Sequence, residues 1–197
     1  MLGARPVRKF TVDEYHRLIA DGFFTRDDHY ELLDGYIVQK MPRDPIHDAC
    51  VALARRILDE HLPPGWHIRV QSAVTTAESE PEPDLALVRG TETDYMARHP
   101  APADSALIAE IANTSAGDDR TTKGPLYARA GFVAYWILNI RDLRIEAYSD
   151  PSGPDPAPAY RRREDYVIGR SVPLNVGGAA VAPVPVADLL PTQPARP

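Results

Sequence analysis

Two runs of this chain read as strands buried on both faces, and each carries a carboxylate where burial makes one costly. Asp84-Leu85-Ala86-Leu87-Val88 follows Pro83, and Ala106-Leu107-Ile108-Ala109-Glu110-Ile111-Ala112 is apolar apart from Glu110. Near-continuous apolar runs of this kind suit the middle of a mixed sheet, where other layers cover both sides. A carboxylate held there needs a cation, a proton or hydrogen bonds. Two on neighbouring strands suggest a divalent metal site, and Lys123 on the following helical segment supplies an ammonium.

The remaining pattern builds around those strands. Thr11 with Glu14 forms a capping box that opens an amphipathic helix ending near Asp21-Gly22. Tyr30-Glu31-Leu32-Leu33 and Tyr36-Ile37-Val38-Gln39 flank Asp34-Gly35, a pair that favours a tight hairpin. From Pro45 to about Leu62, Ile46, Ala49, Cys50, Leu53, Ile57 and Leu58 recur at helical spacing, and Pro63-Pro64-Gly65 closes the segment. Trp66 to Ser72 reads as a strand, and Ser115 to Ala130 as a helix stopped by Gly131. A second hairpin joins Tyr135–Ile140 to Arg144–Tyr148, with Tyr135 and Trp136 as core aromatics. Pro151 to Pro158 is a loop rich in proline, and short strands are expected near Tyr160 and Tyr166.

Composition narrows the function. At 197 residues the chain suits one domain, expected over 1–190, with 191–197 a disordered tail. A formal charge of -6 leaves no broadly basic surface, so any contact with nucleic acid must be local. Arg161-Arg162-Arg163 is at most an auxiliary phosphate contact, because short basic runs usually form a solvated edge. The lone Cys50 cannot form an internal disulfide. Met1 to Pro6 lacks the apolar core of a signal peptide, and no run approaches a membrane span. A soluble cytoplasmic protein with no membrane partner is expected.

Taken in order, Tyr30-Glu31-Leu32-Leu33-Asp34-Gly35, Pro45-x-His47, Glu82-Pro83-Asp84-Leu85, Glu110-Ile111, Asp119-x-x-x-Lys123-x-x-x-Tyr127-Ala128-x-x-Gly131 and Tyr135-Trp136-Ile137 resemble the Uma2 family of endonucleases. That family, also known as DUF820, belongs to the PD-(D/E)XK restriction-endonuclease-like superfamily. The resemblance runs from about Thr11 to Tyr148. It implies an α/β fold with a restriction-endonuclease-like core: a central mixed β-sheet flanked by helices, with an N-terminal helix and hairpin.

It also implies roles. Asp84, Glu110 and the Ile111 carbonyl would bind Mg²⁺ or Mn²⁺, with Glu31 joining through water. Ala112 stands where the plain motif has lysine, and Lys123 takes that part from the next helix. Lys123 would contact the attacking water or the phosphoryl oxygens, His47 a phosphate or a proton, and Gln71 the substrate. The chemistry expected is phosphodiester hydrolysis of DNA, for which a hard cation on oxygen ligands and an ammonium are suited. A homodimer is expected, since cutting both strands needs two sites. The other class weighed is a non-catalytic metal- or nucleic-acid-binding assembly module that keeps the same fold; a third is a hydrolase of smaller phosphate esters.

Overall fold

A computed structural model of the chain describes residues 7–25 and 28–190. The readings placed on Met1–Pro6 and on the tail 191–197 lie outside the described residues.

The first helix, α1 (Val12–Ala20), starts on the capping box its sequence announces. Glu14 N–H donates to the Thr11 hydroxyl, and the Glu14 carboxylate accepts from Thr11 N–H. Strands β1 (Tyr30–Leu33) and β2 (Tyr36–Gln39) pair antiparallel across Asp34-Gly35. Both turn residues have positive φ, 50° and 78°, as a type I′ turn requires. Gly35 is needed for a second reason, since a Cβ there would stand 2.7 Å from the Lys9 Cβ.

Helix α2 (Pro45–Asp59) is capped by Asp44, whose carboxylate accepts from His47 N–H at 2.9 Å, with Pro45 in the first turn. Its buried stripe is Cys50, Val51, Ala54 and Leu58. Strands β3 (Trp66–Val70), β4 (Leu85–Arg89), β5 (Ser105–Ala112), β6 (Ala134–Asn139), β7 (Arg144–Pro151) and β8 (Tyr160–Val167) form one six-stranded sheet in sequence order. Every neighbouring pair is antiparallel except β5 and β6, which run parallel. A parallel pair needs a crossover, and the helical segment that carries Lys123 supplies it. This is the α/β fold with a central mixed sheet flanked by helices that the sequence implied.

Alternation on the central strands divides the core. Leu85, Leu87, Leu107, Ala109 and Ile111 face α2, while Ala86, Val88, Ile108 and Ala112 face the crossover helix with Tyr127, Phe132 and Tyr135. Asp84 and Glu110 share the parity of the second set. Tyr135 and Trp136 are buried, as expected of core aromatics.

The C-terminal third departs from expectation. Where two short strands were predicted, β8 is a single eight-residue edge strand, largely exposed and therefore without a clear apolar alternation. Beyond it, β9 (Ser171–Val176) and β10 (Ala179–Pro185) form an antiparallel hairpin, followed by the short helix α5 (Val186–Leu189). Val172, Leu174, Val176, Val184, Val186 and Leu189 pack beside α2 on its face of the sheet. The alternation of Val172, Leu174 and Val176 is intact, with Pro173 on the exposed face between them. The Arg161–Arg163 run lies on β8, where Arg161 pairs with Asp150 and Arg163 with Asp165 and Glu146.

Candidate functional site

Asp84 sits one residue before β4. The pairing of Leu85 with Ala109 places Asp84 opposite Glu110 on β5. Both side chains are nearly withdrawn from solvent, at 8% and 4% relative exposure. The Ile111 N–H donates to Asp84 Oδ2 at 2.9 Å. His47, one turn into α2, brings Nε2 to 3.1 Å from the same oxygen. Gln71, at the end of β3 with φ 47°, donates its N–H to the Asp84 carbonyl at 3.0 Å and holds its amide nitrogen 3.4 Å from Oδ1.

The crossover helix provides the ammonium. It runs as α3 (Ala116–Asp118), a π-helical turn over Asp119–Lys123, and α4 (Gly124–Ala130), so the predicted single helix is locally widened. In that turn Gly124 N–H reaches the Asp119 carbonyl rather than closing an α-turn. A Cβ at position 124 would lie 3.3 Å from that oxygen, tight enough to explain the glycine. Asp119, Lys123 and Tyr127 follow at intervals of four and turn to the sheet together. Lys123 Nζ donates to Glu110 Oε1 at 2.9 Å and stands 3.9 Å from Glu31 Oε1. Tyr127 Oη donates to Glu110 Oε1 at 2.8 Å. Glu31, on β1, is anchored by Glu82 N–H at 3.0 Å.

Asp84, Glu110, Lys123, Glu31 and His47 thus line one cleft of about 420 Å³ beneath the β2–α2 connection, with the Ile111 backbone at its floor. Gln71 is the exception. It braces Asp84 from behind and does not belong to the cleft wall, so the structure gives no support to a substrate contact for it. Asp119, buried and hydrogen-bonded by the Ser115 hydroxyl, lines the cleft as well. Sequence reading placed it in the Lys123 motif without giving it a role, although its helical spacing from Lys123 was the available signal.

The electrostatics follow from burial. Burial pushes Glu110 up to about 8, reinforced by Asp84 and Asp119 and opposed by the Lys123 ammonium. Burial likewise lifts Asp119 to about 6. At Asp84 burial acts the same way but is outweighed by His47, the Ile111 N–H and Lys123, so its carboxyl stays below the ordinary range. Burial pulls Lys123 down, yet Glu110, Glu31 and Asp119 raise it overall. Asp84 and Asp48 raise His47 against its burial. Within the Lys123–Glu110 pair the ammonium stays charged, and Glu110 is the partner that takes up a proton.

Four buried carboxyls against one ammonium and one histidine form an oxygen-rich set with a shortage of positive charge, which suits a hard divalent cation. On the facing pair Asp84 and Glu110, one oxygen of each remains for it. Glu110 Oε2 accepts no hydrogen bond from the described residues, and Asp84 Oδ1 has only the long 3.4 Å contact from Gln71. The second oxygen of Asp84 and of Glu110 is engaged, and among the described residues no three His, Cys, Asp or Glu side chains form a ready-made ligand cluster.

A mixed sheet with its single parallel pair bridged by a helix, and acidic groups gathered at the strand ends beneath that helix, defines a nuclease-like fold. The chain is similar to the crystal structure of "a putative nuclease belonging to DUF820" from Anabaena variabilis ATCC 29413, with a TM-score of 0.68 and 17% identity over 93% of this chain and 97% of that one. Residues 12–181 match the Uma2 family, described as "Putative restriction endonuclease", and the chain belongs to that family. Comparison with curated proteins returns no match.

Proposed function

We propose that this protein is a metal-dependent endonuclease that hydrolyses phosphodiester bonds of DNA. The observation that carries the reading is the convergence of Asp84, Glu110 and Lys123 in one cleft, with the Lys123 ammonium delivered from the crossover helix to 2.9 Å from Glu110. Membership of a family described as restriction endonucleases supports the reaction class.

In this reading Asp84, Glu110 and the Ile111 carbonyl would hold Mg²⁺ or Mn²⁺, with Glu31 assisting through water. Such a cation supplies polarisation of the scissile phosphoryl group and a more acidic water. The protein's own groups do the rest. Lys123 brings a fixed positive charge to where negative charge develops on the phosphoryl oxygens, in a site already screened from bulk solvent. The Ile111 N–H and His47 keep Asp84 ionised and aimed. His47, between Asp84 and the cleft, is placed to hold or pass a proton or to meet a phosphate oxygen. Lys40, whose ammonium lies 3.0 Å from Glu82 and which lines the cleft, can track the backbone of an entering strand. In keeping with the two-strand argument, the enzyme would act as a homodimer, with residues up to 190 forming one domain.

Cleavage of plasmid, linear duplex, single-stranded DNA and RNA, measured with and without Mg²⁺ or Mn²⁺, tests the proposal. Cation-dependent cleavage of DNA that disappears in Asp84→Asn is expected. Equal cleavage by wild type and that variant would overturn it.

A further inference from the structure

A cavity larger than the carboxylate cleft lies elsewhere among the described residues. It measures about 1040 Å³, lies between α1, the segments after β3 and β4, the end of α4 and the start of the β7–β8 loop, and is walled mainly by apolar groups such as Ile19, Met96 and Pro102. That volume is at the upper end of ordinary small-molecule sites. Met96 and Ile19 are exposed at 84% and 49%, apolar surface that no described residue covers.

One polar group is sunk into this wall. Glu80 is only 2% exposed, and its two carboxylate oxygens are treated differently. Oε2 takes His16 Nε2 at 2.6 Å and the Thr75 hydroxyl at 2.7 Å. Oε1 accepts no hydrogen bond from the described residues; His99 Nε2 stands 4.0 Å away, beyond hydrogen-bond reach. His99 Nδ1 faces the Arg69 guanidinium at 3.4 Å, which leaves Nε2 as its protonated nitrogen. Burial, with help from Arg69 and His16, lowers the His99 pKa against the pull of Glu80 and Glu82. Oε1 is not sealed off but keeps access to the cavity, where a ligand donor can reach it.

The cations on the cavity wall are already engaged. Arg98 pairs with Asp104, and Arg129 with Asp34 and Glu78. An anionic ligand would meet no free partner there, whereas an N–H donor would meet Glu80 Oε1.

We propose that this cavity binds a small apolar amine, its body against Ile19, Met96 and Pro102 and its ammonium donating to Glu80 Oε1. The site is separate from the carboxylate cleft, although the chain from Glu80 runs on through Glu82 to Asp84. It stands or falls independently of nuclease activity, since binding alone is read.

The test is an NMR titration of the full chain with 2-phenylethylamine, with phenylacetate as an anion of matched size. Saturable shifts with the amine at millimolar concentration, and none with phenylacetate, are expected. Glu80→Gln should weaken the amine at least tenfold, and so should Ala77→Trp, which fills the cavity from an exposed wall position without touching Glu80. No saturable binding to the wild type, equal binding of phenylacetate, or undiminished binding to Ala77→Trp would each overturn the proposal. If Glu80→Gln fails to fold, the other arms still decide.

Discussion

Glu146 on β7 ties the crossover helix to the sheet, and replacing it with glutamine isolates that contribution. Its side chain is fully buried, and its carboxylate accepts from Arg120 Nε at 2.8 Å and from a second Arg120 nitrogen, with the Tyr148 hydroxyl at 2.9 Å and Arg163 at 3.3 Å. Arg120 lies in the π-helical turn that ends at Lys123, so the pair sets where that ammonium stands. Burial would raise Glu146, but Arg120, Tyr148 and Arg163 prevail and hold it at about 2, against an ordinary 4.5. A depressed carboxyl stabilises the native state above its unfolded pKa, and that stability is lost as the pH falls through the folded value. The shift corresponds to about 3.4 kcal/mol at pH 7, at 1.36 kcal/mol per unit. The arginines are about one-third exposed, and solvent screening lowers the expected loss to about 2–3 kcal/mol. Urea unfolding of wild type and Glu146→Gln should give that difference at pH 7, shrinking to about three fifths of it at pH 3.5 by the same linkage. A difference that stays constant between the two pH values would refute the reasoning.

Three further outcomes are expected. Lys123→Met keeps the aliphatic stem and should retain the fold by circular dichroism while DNA cleavage falls by about 10²-fold or more, the usual cost of losing one charge-stabilising donor. Wild type in 10 mM Mg²⁺ should gain about 1.4 kcal/mol if its affinity is on the order of 1 mM, read as a Tm rise of about 3–6 °C, and Asp84→Asn should lose that rise. Gly131 closes α4 with φ 87° and open space where a Cβ would sit, so Gly131→Ala should cost about 1 kcal/mol from backbone strain alone, measured by denaturant midpoint.

The sequence by itself determined the near-continuous apolar runs of β4 and β5, and with them that Asp84 and Glu110 belong to buried central strands. The capping box at Thr11, the Asp34-Gly35 turn and the helix start at Pro45 were equally legible, because each is local chemistry between residues a few positions apart. Gln71, by contrast, was placed with the substrate because it ends a strand beside the site, whereas its backbone and amide lie against Asp84 and it stands outside the cleft wall. The β9–β10 hairpin escaped notice because its apolar face is short, Pro173 on the outward face argues against a strand, and the face is completed only by packing beside α2. Tertiary structure alone decided that a widened turn at Asp119–Lys123 swings one ammonium onto Glu110, and that Glu80 is buried with one oxygen unanswered. Both are outcomes of long-range packing: the charge a buried group can hold depends on which distant neighbours exclude water from it, and no local pattern specifies those neighbours.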